Sequence, residues 1–144
     1  MLGRAHFAGP GSWLPTRLPP NVAVLGHVDG ASKRSVLGSA SMIVNTSIHE
    51  SLPISFLEAL HCGTPIVSCQ DPEGVTSRFG RYVGRVDGSG LDSLDTFADA
   101  IESLLDDEEL RLRLGAEGRA WARTNHTPGR FLEAFATLAA TLDG

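Results

Sequence analysis

No apolar run in this 144-residue chain approaches the ~20 consecutive apolar positions that a membrane-spanning helix needs. Residues 1–13 lack the unbroken apolar stretch of a secretory signal, so the protein is expected to be cytoplasmic. Basic tracts are missing too, and the formal net charge is −5. Without clustered Lys and Arg a surface has little to neutralise a phosphate backbone, which argues against nucleic acid as the main partner. Only two cysteines occur, Cys62 and Cys69, with neither metal-ligand spacing nor a histidine cluster beside them. They read as buried free thiols, and no metal site is expected. There is no internal repeat and no low-complexity segment.

What is present fits a folded domain. The chain is 42% hydrophobic and 20% charged, as in ordinary globular proteins, and is long enough for one real core. We read residues 1–144 as a single domain.

Strand and helix signals alternate along it. Residues 5–8 are apolar and end in Gly9-Pro10-Gly11-Ser12, a loop signal. The Val-rich stretch 21–25 stops at Gly26 and reads as a strand. Residues 32–39 read as a short helix capped by Ser32. Residues 42–44 form a second buried strand, followed by the polar turn Asn45-Thr46-Ser47. A helix is predicted over 53–62, with Pro53 in its first turn and Gly63 as its left-handed stop. Residues 65–69 form another Val/Ile strand, 71–80 a loop or short helix, 82–86 an edge strand, and 87–90 a turn. Three helices follow. Leu94, Phe97, Ile101 and Leu104 keep helical spacing; Asp106 with Glu109 resembles a capping box; Thr127-Pro128 opens the last helix. Phe131, Phe135, Leu138 and Leu142 line one face of that last helix and read as core. Short apolar strands alternating with helices predict an α/β fold with a parallel sheet covered on both faces. Ligands bind beyond the carboxyl ends of such strands, where 9–12, 26–29 and 46–52 are expected.

The segment His49-Glu50-Ser51-Leu52-Pro53-Ile54-Ser55-Phe56-Leu57-Glu58-Ala59-Leu60 carries the chemistry. Glu58 sits in an almost wholly apolar stretch. A desolvated carboxylate needs donors, which a ligand's hydroxyls or the amides of a neighbouring loop can supply. The amides of 51–55 open a helix whose dipole favours an anion such as a phosphate. Glu50 serves a ligand or simply stabilises that dipole. An anion pocket flanked by two carboxylates suits a nucleotide-sugar, with its phosphates and hydroxyls. His49 and His61 read as spacers or packed imidazoles, and His27 as a ligand neighbour or a loop histidine. Arg78, Arg81 and Arg85 read as a solvated face, the alternative being that one of them touches phosphate.

The block from His49 to Val67 resembles the donor-binding signature of the family-four retaining glycosyltransferases: Glu, seven residues, Glu-Ala, then a Cys-Gly-Thr-Pro turn, here Glu50, Glu58-Ala59 and Cys62-Gly63-Thr64-Pro65. Asn21 to Val28 is similar to the family's strand and loop beside the nucleotide base. Leu104 to Arg111 with Leu114-Gly115 resembles its closing helices. The resemblance covers about residues 5–142. It implies a Rossmann-like three-layer domain equivalent to the C-terminal half of a GT-B enzyme, in which two such domains flank the active site.

By that resemblance Glu50 is the catalytic candidate, contacting the transferred sugar near its anomeric centre or 3-hydroxyl. Ser51, Leu52, Pro53 and Ile54 would bind the sugar and diphosphate, largely through backbone atoms. Glu58 would accept from the ribose hydroxyls, and Gly26, His27 and Val28 would border the base. No tightly bound cofactor or metal is implied; the nucleotide-diphosphate sugar is a substrate. The family's strand and helix carrying a diphosphate-gripping Arg and Lys have no match here, and Ser51 replaces a commoner glycine. The chain is therefore expected to be an incomplete donor-binding domain. The family's N-terminal acceptor domain has no match either, so the chain is expected to act with a separately encoded acceptor domain or to be a truncated product of a longer gene. Self-association is expected too, because the family's last helix crosses back to that domain and part of the Phe131 stripe would be left exposed. The alternative is a non-catalytic nucleotide-sugar-binding or interaction module.

Overall fold

Val and Ile, whose branched side chains suit an extended backbone, supply the strands at 22–24, 43–45 and 66–68. The computed structural model describes residues 5–7, 17–86 and 93–142. The chain divides into two units, Met1–Val36 and Leu37–Gly144. In the first, β1 (Ala5–Phe7) pairs in parallel with β2 (Val22–Val24), Ala5 opposite Val22 and Phe7 opposite Val24. Helix α1 (Gly30–Ser39) begins in this unit. Its first turn closes from the Lys33 amide to the Asp29 carbonyl at 3.1 Å, so Ser32 lies inside the helix and does not cap it.

In the second unit β3 (Ile43–Asn45), β4 (Ile66–Ser68) and β5 (Gly80–Tyr82) form a parallel sheet with β4 in the centre. Ile43 lies opposite Ile66, and Ile66 opposite Gly80. Helix α2 (Ile54–Cys62) joins β3 to β4. A 3-10 turn (Pro72–Gly74) and α3 (Val75–Phe79) join β4 to β5. The final strand starts two residues before the edge strand expected at 82–86. Helices α4 (Leu94–Asp106), α5 (Glu108–Asn125) and α6 (Pro128–Leu142) complete the chain.

Every residue of β4 is buried, and its neighbours alternate sides as a pleated strand requires. Ile66 joins Phe56 and Leu60 of α2, Val75 and Phe79 of α3, and Ala122 of α5. Val67 joins Cys69, Val86, Phe97 and Leu104 of α4, and Leu114 of α5. A core therefore lies on each face of the sheet, which gives the expected layers of helix, sheet and helix.

The helix ends follow local chemistry. Gly63 takes φ 80°, and the amides of Gly63 and Thr64 reach the carbonyls of Leu60 and Ala59, both at 2.9 Å. α5 is capped by Asp107, whose carboxylate accepts the Leu110 amide at 2.8 Å, one residue after the predicted Asp106. Thr127 caps α6 through the Arg130 amide at 3.2 Å. The predicted core stripe of α6 is exposed instead: Phe131 at 69%, Phe135 at 62% and Leu138 at 60%, while the Leu142 side chain lies outside the described residues. Among the described residues no helix is long and apolar enough to cross a membrane.

Candidate functional site

Parallel strands end at one edge, here at Asn45, Ser68 and Tyr82. Two loops leave that edge side by side. One is 46–53, after β3; the other is 69–71, after β4. The first turns at once, because the Asn45 side-chain oxygen accepts the Ser47 amide at 2.7 Å. The Ser47 carbonyl then receives Gln70 Nε2 at 2.8 Å and the Cys69 thiol at 3.3 Å. Gln70 Oε1 accepts the Glu50 amide at 3.0 Å. One side-chain amide thus joins the two loops. Its orientation is fixed by its partners, since a backbone amide only donates and a carbonyl only accepts.

Gln70 is itself tied down. Its amide donates to Ser68 Oγ at 3.0 Å, and its carbonyl accepts from Thr76 Oγ1 at 2.6 Å. Both Ser68 and Thr76 are fully buried. Beyond it, the Asp71 carboxylate accepts the Ser77 amide at 3.0 Å and the Ser77 hydroxyl. Glu73 is held at φ 55°, a left-handed conformation that a residue other than glycine rarely takes. Burial pushes the Cys69 thiol above its usual range, against an opposing backbone hydrogen bond of its own, so it stays neutral and inert.

The predicted site residues fall as follows. Glu50 and Ser51 are exposed on the first loop. Leu52 is half-buried and packs against the Phe56 core, anchoring the loop from below. Pro53 is buried. It occupies the position before α2, at φ −60° and ψ 133°, rather than the helix's first turn. Proline carries no side-chain acceptor, and no side chain caps the helix from that position. Ile54, at the first position of α2, is 74% exposed. Glu58 follows it by one turn and so shares its helix face. Glu58 is half-buried; the inward positions of α2 are Phe56, Ala59 and Leu60.

Gly26, His27 and Val28 belong to the first unit. Gly26 has φ 66°, His27 is exposed and Val28 is half-buried. The loop signal at 9–12 and the turn at 87–90 lie outside the described residues.

The other polar candidates are occupied structurally. His61 Nδ1 lies 2.8 Å from the Leu57 carbonyl, and the His61 carbonyl accepts Arg119 Nε at 3.1 Å. Arg78 lies 4.7 Å from the Phe79 ring centre and 5.7 Å from that of Trp121. Arg81 donates to Ser103 Oγ at 3.2 Å. Cys69 is buried as expected, whereas Cys62 is only half-buried. Among the described residues no three His, Cys, Asp or Glu side chains gather as metal ligands. A hollow at the α5–α6 junction is lined by Asn125, His126, Phe131 and their neighbours, and by none of the loop residues at the sheet edge.

Gln70 is the residue that sequence reasoning missed. A lone glutamine carries no spacing signal. The available clue was topological: 46–52 and 69–71 each follow a strand of one parallel sheet and so meet at its edge.

Comparison with known proteins gives three results. No curated protein matches the chain. A solved structure, that of AviGT4, a glycosyltransferase involved in avilamycin A biosynthesis, is similar at 21% identity with a TM-score of 0.45. The similarity covers 83% of this chain and 43% of that one, so the chain spans less than half the length of that protein. The family described as glycosyl transferases group 1 matches residues 14–121, three quarters of the sequence and both glutamates of the 49–67 block, and the chain belongs to that family.

Proposed function

We propose that the chain is the donor-binding part of a retaining GT-B glycosyltransferase, which takes a nucleotide-diphosphate sugar as donor. One observation carries the reading. The family match includes a loop that presents Glu50 to solvent at the carboxyl edge of the sheet, directly before a helix whose cap position, Pro53, supplies no side-chain acceptor. The dipole and amides of α2 favour the diphosphate. Glu58, on the outer half of that helix, accepts from the ribose hydroxyls. Glu50 contacts the sugar, where its charge offsets positive charge developing at the anomeric carbon as the bond to the diphosphate breaks. The acceptor is supplied by protein outside these 144 residues, because transfer requires it to be held against the donor. The reading places the protein in the cytoplasm, with no tightly bound cofactor.

A second reading, a binding module that performs no transfer, is favoured by the arginines. Arg78 lies over aromatic rings and Arg81 donates to Ser103, so neither is an uncommitted cation for a diphosphate.

Calorimetric titration of the chain with UDP, GDP, ADP and their sugar conjugates tests the proposal, with Glu58→Ala as control. Micromolar binding of one nucleotide, weakened by the variant, supports it. Absence of binding at millimolar ligand overturns both readings. Transfer to a sugar acceptor upon addition of an acceptor domain separates the first reading from the second.

A further inference from the structure

We propose that Gln70 is a positioning residue of the donor site, setting where Glu50 stands by clamping the loop that carries it. The inference rests on the donor-binding reading above and adds a residue to that site.

The geometry is specific to an amide of this length. Gln70 Nε2 reaches the Ser47 carbonyl and Oε1 reaches the Glu50 amide, so the side chain spans the loop at two points three residues apart. Asn45 turns the loop's start by accepting the Ser47 amide, and the Cys69 thiol adds a weaker contact to the same Ser47 carbonyl. Leu52 fixes the loop's far end in the core. Between these anchors, Glu50 is exposed and its backbone is placed by Gln70. The clamp does not swing, because buried Ser68 and Thr76 hold the Gln70 backbone from both sides. Asparagine is one methylene too short to span the same two partners. Glutamate offers no donor to Ser47 and sets a carboxylate against its carbonyl.

The experiment compares the parent chain, Gln70→Leu and Leu110→Ala. Leu110→Ala is a stability control, because Leu110 packs on the core around Val67 and Leu104, whereas Leu52 of the loop packs on the Phe56 core. Amide hydrogen exchange at Glu50 is measured without ligand, and affinities for UDP, GDP, ADP and their sugar conjugates are measured by calorimetry. The expected result is that exchange at Glu50 quickens about tenfold in Gln70→Leu. Affinity for the bound nucleotide's sugar conjugate falls by a similar factor, while Leu110→Ala melts earlier yet binds as the parent does. If the parent binds a nucleotide and Gln70→Leu binds its conjugate equally well, the positioning role falls and the donor-binding reading stands. Unchanged exchange at Glu50 likewise overturns the clamp. If Leu110→Ala loses affinity as much as Gln70→Leu, the effect is general loosening and the proposal fails. If the parent binds no nucleotide, the donor-binding reading falls and this proposal with it.

Discussion

The Glu50 amide donates to the Gln70 side chain at 3.0 Å, although the two residues lie 20 positions apart in sequence. The arrangement depends on Thr76, whose hydroxyl supports the Gln70 carbonyl from the fully buried side. Thr76→Val keeps the shape and removes the donor. A carbonyl left without that partner costs about 1–3 kcal/mol. In a domain of this size that lowers the melting temperature by roughly 3–10 °C. Thermal unfolding followed by circular dichroism checks this; an unchanged midpoint would show that water takes the hydroxyl's place.

The space around two helical glycines predicts substitutions of opposite sign. A methyl group at Gly115 would fall on the Gly63 carbonyl oxygen, and Gly63 cannot retreat without giving up its left-handed turn at φ 80°. Gly115→Ala should therefore destabilise by about 1–3 kcal/mol, despite alanine's better helix propensity. Gly38, inside α1, has nothing within 4 Å of the same methyl position. Gly38→Ala should stabilise by up to about 1 kcal/mol. Urea unfolding of both variants decides it, and equal signs would refute the packing argument.

Much of the fold was legible, and the failures have physical causes. α2 was readable because Pro53 and Gly63 bracket it and its inward positions repeat at helical spacing. β4 was readable because a parallel strand buried on both faces is apolar throughout; β3, expected to be buried as well, exposes Val44, and β2 exposes Val24, because each is covered on one side only in part. α1 begins two residues before Ser32, since the Asp29 carbonyl accepts the first turn's bond and no capping side chain was needed. Asp106 and Asp107 are chemically equivalent neighbours, and only the chain's path into α5 selects Asp107 as the cap. The α6 stripe has the right period but no described partner, because periodicity shows that a face is apolar and not what covers it. Within the site, Glu50 and Glu58 stood out as charges in an apolar segment. Gln70 did not, because its role depends on the meeting of two loops from different strands.

The same distinction between pattern and partner predicts unequal costs for two phenylalanines. Phe56 is fully buried between α2 and the sheet, whereas Phe135 is 62% exposed on α6. Phe56→Ala should cost about 3–5 kcal/mol, the transfer term plus the cavity left behind. Phe135→Ala should stay within about 0.5 kcal/mol of the parent. Denaturant midpoints of the two variants measure the gap. A large loss at Phe135 would mean that the α6 face is covered in solution.

Cys69 gives the fold an alkaline sensitivity whose sign follows from burial. The thiolate is the form that burial disfavours, so the folded chain holds its proton to a higher pH than the unfolded chain does. Above the ordinary thiol value of about 8.5 the unfolded state binds fewer protons, and stability falls as pH rises. Below that value the group contributes no slope. The decline continues until the folded thiol also ionises, at up to about 1.4 kcal/mol per pH unit. Cys69→Ala lacks the ionisable group and starts from a lower stability, having lost the thiol's packing and its contact to Ser47. The stability gap between parent and variant should therefore be constant from about pH 7 to 8 and narrow from about pH 8.5 upward. Urea titrations of both proteins under reducing conditions measure that gap. A gap that widens with pH would mean that the folded protein stabilises the thiolate, and that this edge of the sheet is more electropositive than its hydrogen bonds indicate.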